Sequence, residues 1–173
     1  VFNRISSTEE SQTVISNMNR ESTEIIITAT DTPPFDNPLP HHIQFVAEYG
    51  FGIPYHFLIT RRSIWTCRPL DVKPRTVNDS DLTAQHYTNS ILIALEGGVE
   101  GDGTEYYTNK QLEILHGFVI DILKIRPGMQ IFGVNDITDS LGYPYFDVVN
   151  RMDTVLEKLY NGNIKNYNPL KES

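Results

Sequence analysis

One cysteine, Cys67, occurs in 173 residues, so no internal disulfide can form and the fold does not depend on an oxidising compartment. A lone thiol cannot supply half of a zinc knuckle either. Within an expected strand, Ile64-Trp65-Thr66-Cys67, it reads as a small buried hydrophobe rather than a nucleophile. Basic clusters are also missing: 14 Lys and Arg against 22 Asp and Glu leave a net charge of −8. Nucleic acid and anionic lipid both select positive surfaces, so neither nucleic acid nor a membrane is expected as a partner. The same charge mildly disfavours unaided binding to an anionic cell wall. No apolar run reaches the length of a transmembrane helix. The start, Val1-Phe2-Asn3-Arg4, has no apolar signal core, and it leaves upstream sequence an open matter. A phosphate loop is lacking too, because Gly97-Gly98 and Gly101-Asp102-Gly103 have no following Lys. No EF-hand series surrounds Asp102, and no serine sits in a nucleophile elbow.

What is present reads as one α/β domain, long enough to bury a core, with 39% hydrophobic residues and ten prolines. Residues 1–23 are rich in Ser, Thr, Asn and Glu and read as an N-terminal arm, linker or short helix. A domain spans 24–162, and an Asn-rich tail follows over 163–173. Its first strand is 24–30, followed by a proline-stiffened loop from Asp31 to Pro40. A helix over 41–49 draws an apolar side from Ile43, Phe45, Val46 and Tyr49. Strands over 55–60 and 64–68 form a hairpin, and the nearly all-apolar 90–96 is a central strand covered on both faces. Thr108 and Gln111 make a capping box that opens a helix over about 109–125, which Pro127-Gly128 stops. A strand at 130–134 and a helix at about 146–160 complete a mixed central β-sheet flanked by helices. No internal repeat is seen.

Four segments carry a family likeness at their order and spacing. They are Glu24-Ile25-Ile26-Ile27-Thr28-Ala29-Thr30, Pro54-Tyr55-His56-Phe57-Leu58-Ile59, Asn89 through Gly98, and Gly142-Tyr143-Pro144-Tyr145-Phe146-Asp147. Together they resemble the type-2 N-acetylmuramoyl-L-alanine amidases, a family that includes phage amidase-lysozymes and peptidoglycan recognition proteins. The resemblance implies an amidase-like fold and a catalytic zinc with three protein ligands and an open position for water. It also implies a helper Tyr or Glu on an adjacent strand, matched here by Tyr55.

Carried over in order, the implied ligand positions hold the wrong chemistry. The first falls on Thr28; the second on Val134, or Asn135 after a one-residue slip. The third falls on Leu141 for an aspartate version or Tyr143 for a cysteine version. Zinc takes imidazole nitrogen, thiolate or carboxylate, so no metal and no cofactor is expected. Among five histidines, adjacent His41 and His42 point apart, His56 points away from Tyr55, and His116 falls mid-helix. His86, expected to border the cleft, is the candidate for a relocated site, with oxygens from Asp136, Asp139 or Asp147. Asp147 at a helix start is sufficiently explained as a cap, and Glu96 with Glu100 as a solvated rim.

The expected function is therefore a catalytically inactive amidase-like module, a structural part of a phage virion in its tail or baseplate. Its partners are then other virion proteins or larger flanking domains, and its place the particle, or the host cytoplasm before assembly. One alternative is a non-catalytic peptidoglycan-binding module with a cleft between Thr28, Tyr55, His86 and the 135–145 loop, offering Tyr87, Asp139, Tyr143 and Tyr145 to a ligand. Others are an amidase with a rearranged metal site and a polymerase-regulating partner.

Overall fold

Ile25-Ile26-Ile27 divides its side chains between two apolar layers, as strand geometry requires. Ile25 and Ile27 pack with Phe57, Ile91, Ile93 and Phe118, whereas Ile26 packs with Leu58, Leu92 and Ala94. All three are sealed from solvent. Each buried side chain of this size contributes about 1.5–3 kcal/mol. In the computed structural model the described residues are 2–75, 86–99, 106–138 and 142–160. Six strands appear among them: β1 (Asn3–Ile5), β2 (Glu24–Ala29), β3 (Phe57–Ile59), β4 (Ile64–Thr66), β5 (Ser90–Leu95) and β6 (Gln130–Gly133). Their order is β1-β4-β3-β5-β2-β6. β3, β5, β2 and β6 run parallel, while β1 and β4 add an antiparallel edge. The carboxyl ends of four parallel strands thus meet at one end of the sheet, where α/β proteins bind ligands.

Helix α1 (Thr8–Ser16) and helix α3 (Asn109–Ile125) cover one face, joined by α5 (Val148–Tyr160) against β6. The capping box at Thr108 forms as read, with its Oγ1 accepting from the Gln111 N–H at 3.1 Å. Gln111 does more than cap: its Nε2 donates to the carbonyls of Ile59 and Glu96, at 2.9 Å each, tying α3 to the ends of β3 and β5. Asp147 caps α5 by accepting from the Asn150 N–H.

Three expectations are corrected. Of the arm, linker or short helix read over residues 1–23, the short helix is present as α1, and a strand is added: β1 pairs with β4, and Ile5, Ile15 and Met18 are buried in the core. Their scattered apolar positions are the inward side of a nine-residue helix that Ser7 caps from its side chain. The second helix, α2 (Pro38–Tyr49), starts earlier than expected because Asn37 accepts from the Leu39 N–H and two prolines are tolerated in a first turn. Its apolar side faces outward, not inward. Leu39, Ile43 and Val46 are 52%, 60% and 47% exposed, while Pro38 and His41 are its buried residues. A short helix, α4 (Val134–Ile137), begins where the last residue of a strand was expected. The tail over 163–173 lies outside the described residues.

Candidate functional site

Beyond Ala29, the chain leaves β2 as Thr30-Asp31-Thr32, and α2 lies across the opening. Between them is a cleft of about 400 Å³. Its sheet side is formed by Thr28, Tyr55, Leu92 and Tyr87, and its helix side by His41, Gln44, Phe45, Glu48 and Tyr49. Asp31 and Tyr143 close one end, and Pro54 and Arg75 also contribute.

The cleft wall has an anchor that sequence reasoning missed. Nε2 of His41 lies 2.6 Å from Oε2 of Glu96, with both side chains excluded from solvent. Oε1 of the same carboxylate accepts from the Asp36 N–H at 2.8 Å. Glu96 was expected on a solvated rim; at 1% exposure it instead joins the end of β5 to both the loop and the helix that wall the cleft. A charged residue buried so completely needs such partners. The edge of Phe35 covers the His41 ring, and Arg61 holds Asp36 from outside through its Nε at 3.1 Å.

Tyr55 stands just before β3 rather than within it. Its ring is buried against Phe45, and its hydroxyl has no hydrogen-bond partner among the described residues. Burial, with Cys67 and Glu96 nearby, lifts this phenol well above its ordinary range, so it stays a neutral donor. Tyr143 donates to Oδ2 of Asp31 at 3.3 Å; burial first, then the Asp31 charge, push it up to about 12. Arg75 lies with its guanidinium 4.3 Å from the Phe51 ring centre and, among the described residues, has no carboxylate at ion-pair distance. Burial also raises the Cys67 thiol, in keeping with its reading as an inert hydrophobe.

The positions singled out from sequence are partly brought together. Thr28 and Tyr143 both line the cleft. Val134 follows Gly133, which pairs with Ile27, so it stands beside Thr28 at the adjacent strand end. It is fully buried, in the same apolar cluster as Tyr143. Asn135 is occupied locally, donating from its backbone to the Tyr143 carbonyl and from its side chain to the Phe146 carbonyl. Asp136 caps α4 by accepting from the Gly133 N–H. Tyr87 lines the cleft, whereas Tyr145 lies outside it, in edge contact with Tyr143. Asp139 and Leu141 lie outside the described residues.

His86 does not reach the cleft, contrary to expectation. It sits on Glu24, 2.9 Å from its carboxylate. The reason is register: Glu24 pairs with Ser90 in the parallel ladder, so the segment leading into β5 meets the start of β2, not its end. At about 3.3 Å per residue, four residues separate that site from Thr28 by some 13 Å. His56 is also committed: its Nδ1 accepts from the Leu92 N–H at 3.0 Å, which leaves Nε2 to donate to the Val72 carbonyl at 2.7 Å. Burial pushes it down to about 4. His116 is half-buried on α3 and does not line the cleft.

The zinc that the resemblance implies does not fit these residues. Thr28 offers a hydroxyl, Val134 no donor, and Tyr143 a phenol that holds its proton. Ala94, the parallel neighbour of Thr28, is apolar. Among the described residues no three His, Cys, Asp or Glu side chains converge to hold an ion.

Asp31, Gln44, Glu48 and Arg75 were not read from the sequence as site residues. Only Asp31 carried a signal, standing two residues past a parallel strand's carboxyl end.

No family model matches the sequence, and no curated protein does. Solved structures do match in shape. The N-acetylmuramoyl-L-alanine amidase endolysin LysCS of Clostridium intestinale aligns with TM-score 0.61 and 19% identity, over 82% of this chain and 86% of that one. The Ph2119 endolysin of a Thermus scotoductus bacteriophage aligns at 0.56 and 18%, over 73% and 79%. Human PGRP-IβC, solved with a glycosamyl muramyl pentapeptide, aligns at 0.54 and 15%, over 79% and 85%. Sequence identity this low speaks to architecture. The chain has the fold shared by N-acetylmuramoyl-L-alanine amidases and peptidoglycan recognition proteins.

Proposed function

We propose that this domain is a non-catalytic peptidoglycan-binding module that holds a muramyl peptide in the cleft between β2 and α2. The observation that carries this reading is a cleft kept open and polar at a site where the zinc ligands are not kept. Thr28, Val134 and Tyr143 stand at the positions the resemblance assigns to metal ligands. The lining suits a peptide: Tyr55 presents an unpartnered hydroxyl, Asp31 and Glu48 suit an ammonium or amide, and Arg75 suits a carboxylate. An unsatisfied buried hydroxyl costs about 1–3 kcal/mol, which a ligand's hydrogen bond would recover on binding.

Calorimetric titration with a muramyl peptide, with and without added zinc, tests this. Binding at micromolar to millimolar concentration is expected, with no released peptide in either arm. No binding at millimolar concentration overturns the module, and release of peptide in the zinc arm shows an enzyme instead.

A second reading is a scaffold that contacts neighbouring subunits, such as those of a phage tail or baseplate. The outward apolar stripe of Leu39, Ile43 and Val46 on α2 favours it, because free surfaces rarely align such residues. Size measurement with and without Ile43→Glu decides: a monomer in both cases leaves this reading without support.

A further inference from the structure

The two edges of the sheet are built differently. β1 presents exposed Asn3 and charged Arg4, a guard against unwanted strand pairing. β6, at the other edge, lies in the run Met129-Gln130-Ile131-Phe132-Gly133, which has neither charge nor proline. The Gln130 N–H donates to the Thr23 carbonyl at 2.9 Å, so Gln130 and Phe132 are the residues that bond towards β2. Alternation along the strand then turns the N–H and C=O of Ile131, and the C=O of Met129, away from the sheet. These groups have no backbone partner among the described residues.

Beside that edge lies a groove of about 280 Å³ between β6 and α5. Met129 and Ile131 form one wall. Val149, Met152 and Leu156 form the other, at spacings of three and four that place them on one face of α5. The groove is on the sheet face away from the cleft. Ile131 and Met152 belong to the apolar layer of Ile25 and Ile27, whereas Tyr55 and Leu92 of the cleft belong to the layer of Ile26. Val149 remains 39% exposed at its mouth. Strand addition uses this combination: main-chain groups at an open edge give affinity, and a slot for alternate side chains gives specificity. We propose that β6 is a docking edge for an extended segment of a partner protein. The segment adds a strand beside Ile131, seats an apolar side chain between β6 and α5, and carries lysine or arginine next to it.

Charge selects that occupant. Asp153 lines the groove, and exposed Glu157 stands four residues further along the same flank of α5. Like charges at this spacing repel, and neither carboxylate has an ion-pair partner among the described residues. A cationic residue flanking the seated side chain relieves that repulsion. A second copy of this chain would instead set two acidic α5 flanks against each other, in molecules of net charge −8, so self-pairing at this edge is disfavoured.

The groove and the cleft share no lining residue, so this proposal does not depend on muramyl-peptide binding. The probe is acetyl-Lys-Val-Leu-Val-Lys-amide, with acetyl-Glu-Val-Leu-Val-Glu-amide as its acidic counterpart, each titrated into the full chain and followed by amide NMR. The lysine peptide is expected to bind at micromolar to millimolar concentration and to slow hydrogen exchange at the Ile131 amide about fivefold or more. Val149→Trp, which fills the groove from a half-exposed position, should abolish binding. Asp153→Lys should weaken the lysine peptide about two- to fivefold and favour the glutamate peptide by as much. Circular dichroism confirms that both variants are folded. No binding of the lysine peptide to the wild type, equal binding of the glutamate peptide, or an Ile131 amide that exchanges equally fast with and without peptide overturns the proposal. Displacement of the bound peptide by a muramyl peptide also overturns it, because the peptide would then lie in the cleft. A wild-type dimer in sedimentation that Val149→Trp dissociates would give the edge to a second copy, and overturns it as well.

Discussion

His41 and Glu96, 55 positions apart in the chain, meet at 2.6 Å in a place water does not reach, and their contact fastens α2 to the end of β5. Much of the outer surface of α2 faces solvent, so this buried pair is a principal tether of the cleft wall.

Removing one partner should be costly. Glu96→Ala leaves the His41 ring and the Asp36 N–H without their acceptor in a buried site, and a loss of about 3–5 kcal/mol is expected. Arg61→Ala breaks the exposed pair with Asp36 and should leave the unfolding midpoint nearly unchanged. Urea unfolding of both variants checks the contrast. Equal effects would mean that the buried pair is not a principal tether.

His56 should make the protein acid-sensitive. Its pKa is depressed to about 4 from an ordinary 6.5, so between those values the unfolded chain takes up a proton that the folded one refuses. Stability is full above pH 6.5 and falls as pH drops towards 4, by on the order of 2–3 kcal/mol. Protonation at Nδ1 would displace the Leu92 N–H, which is the structural cause. In His56→Gln, less stable overall, the dependence on pH between 6.5 and 4 should flatten when unfolding is followed in urea.

Asp121 acts in the opposite sense. It is buried on α3 against Thr8 of α1, and burial raises it to about 7, only partly offset by Lys124 and the Thr8 hydrogen bond. The folded state keeps a proton that the unfolded state sheds near pH 4. This contribution is present below about pH 4 and is lost as pH rises through 7. Asp121→Asn should remove that loss and stabilise the protein at pH 8 by on the order of 1–2 kcal/mol, allowing for partial hydration. A lower melting temperature than wild type at pH 8 would contradict the burial argument.

Tyr55→Phe should separate stability from binding. Deleting a buried hydroxyl that lacks a partner is expected to raise stability by about 1 kcal/mol in the free protein. The same change should weaken muramyl-peptide binding several-fold if a ligand satisfies that hydroxyl. Thermal melts and titrations on one preparation read both effects, and unchanged affinity would remove Tyr55 from the cleft's binding groups.

Local signals carried far into the structure. The Thr108–Gln111 box, the apolar triplet before Thr28, the central strand and the Asp147 cap are each written within a few residues, where propensity and periodicity act directly. Burial reversed other readings. Ile43 and Val46 have the spacing of an inward face but point outward, because the orientation of α2 follows from His41 and Phe45 seating against distant strands. His86 was placed by its nearness in sequence to β5, whereas the parallel register with β2 puts it at the opposite end of the sheet.

The sequence by itself determined the order of strands β2 to β6 with helices α2, α3 and α5, the net negative charge and the donor chemistry at Thr28, Val134 and Tyr143. Those are properties of single residues and short segments, and no packing can turn a valine into a metal ligand. Only the tertiary structure decided that Glu96 is buried on His41, that Tyr55 buries an unpartnered hydroxyl at the cleft wall, and that Tyr106 and Tyr145 stack beside it. Each depends on contacts between segments distant in the chain, set by sheet register and helix docking, and none of the three is visible in a local window.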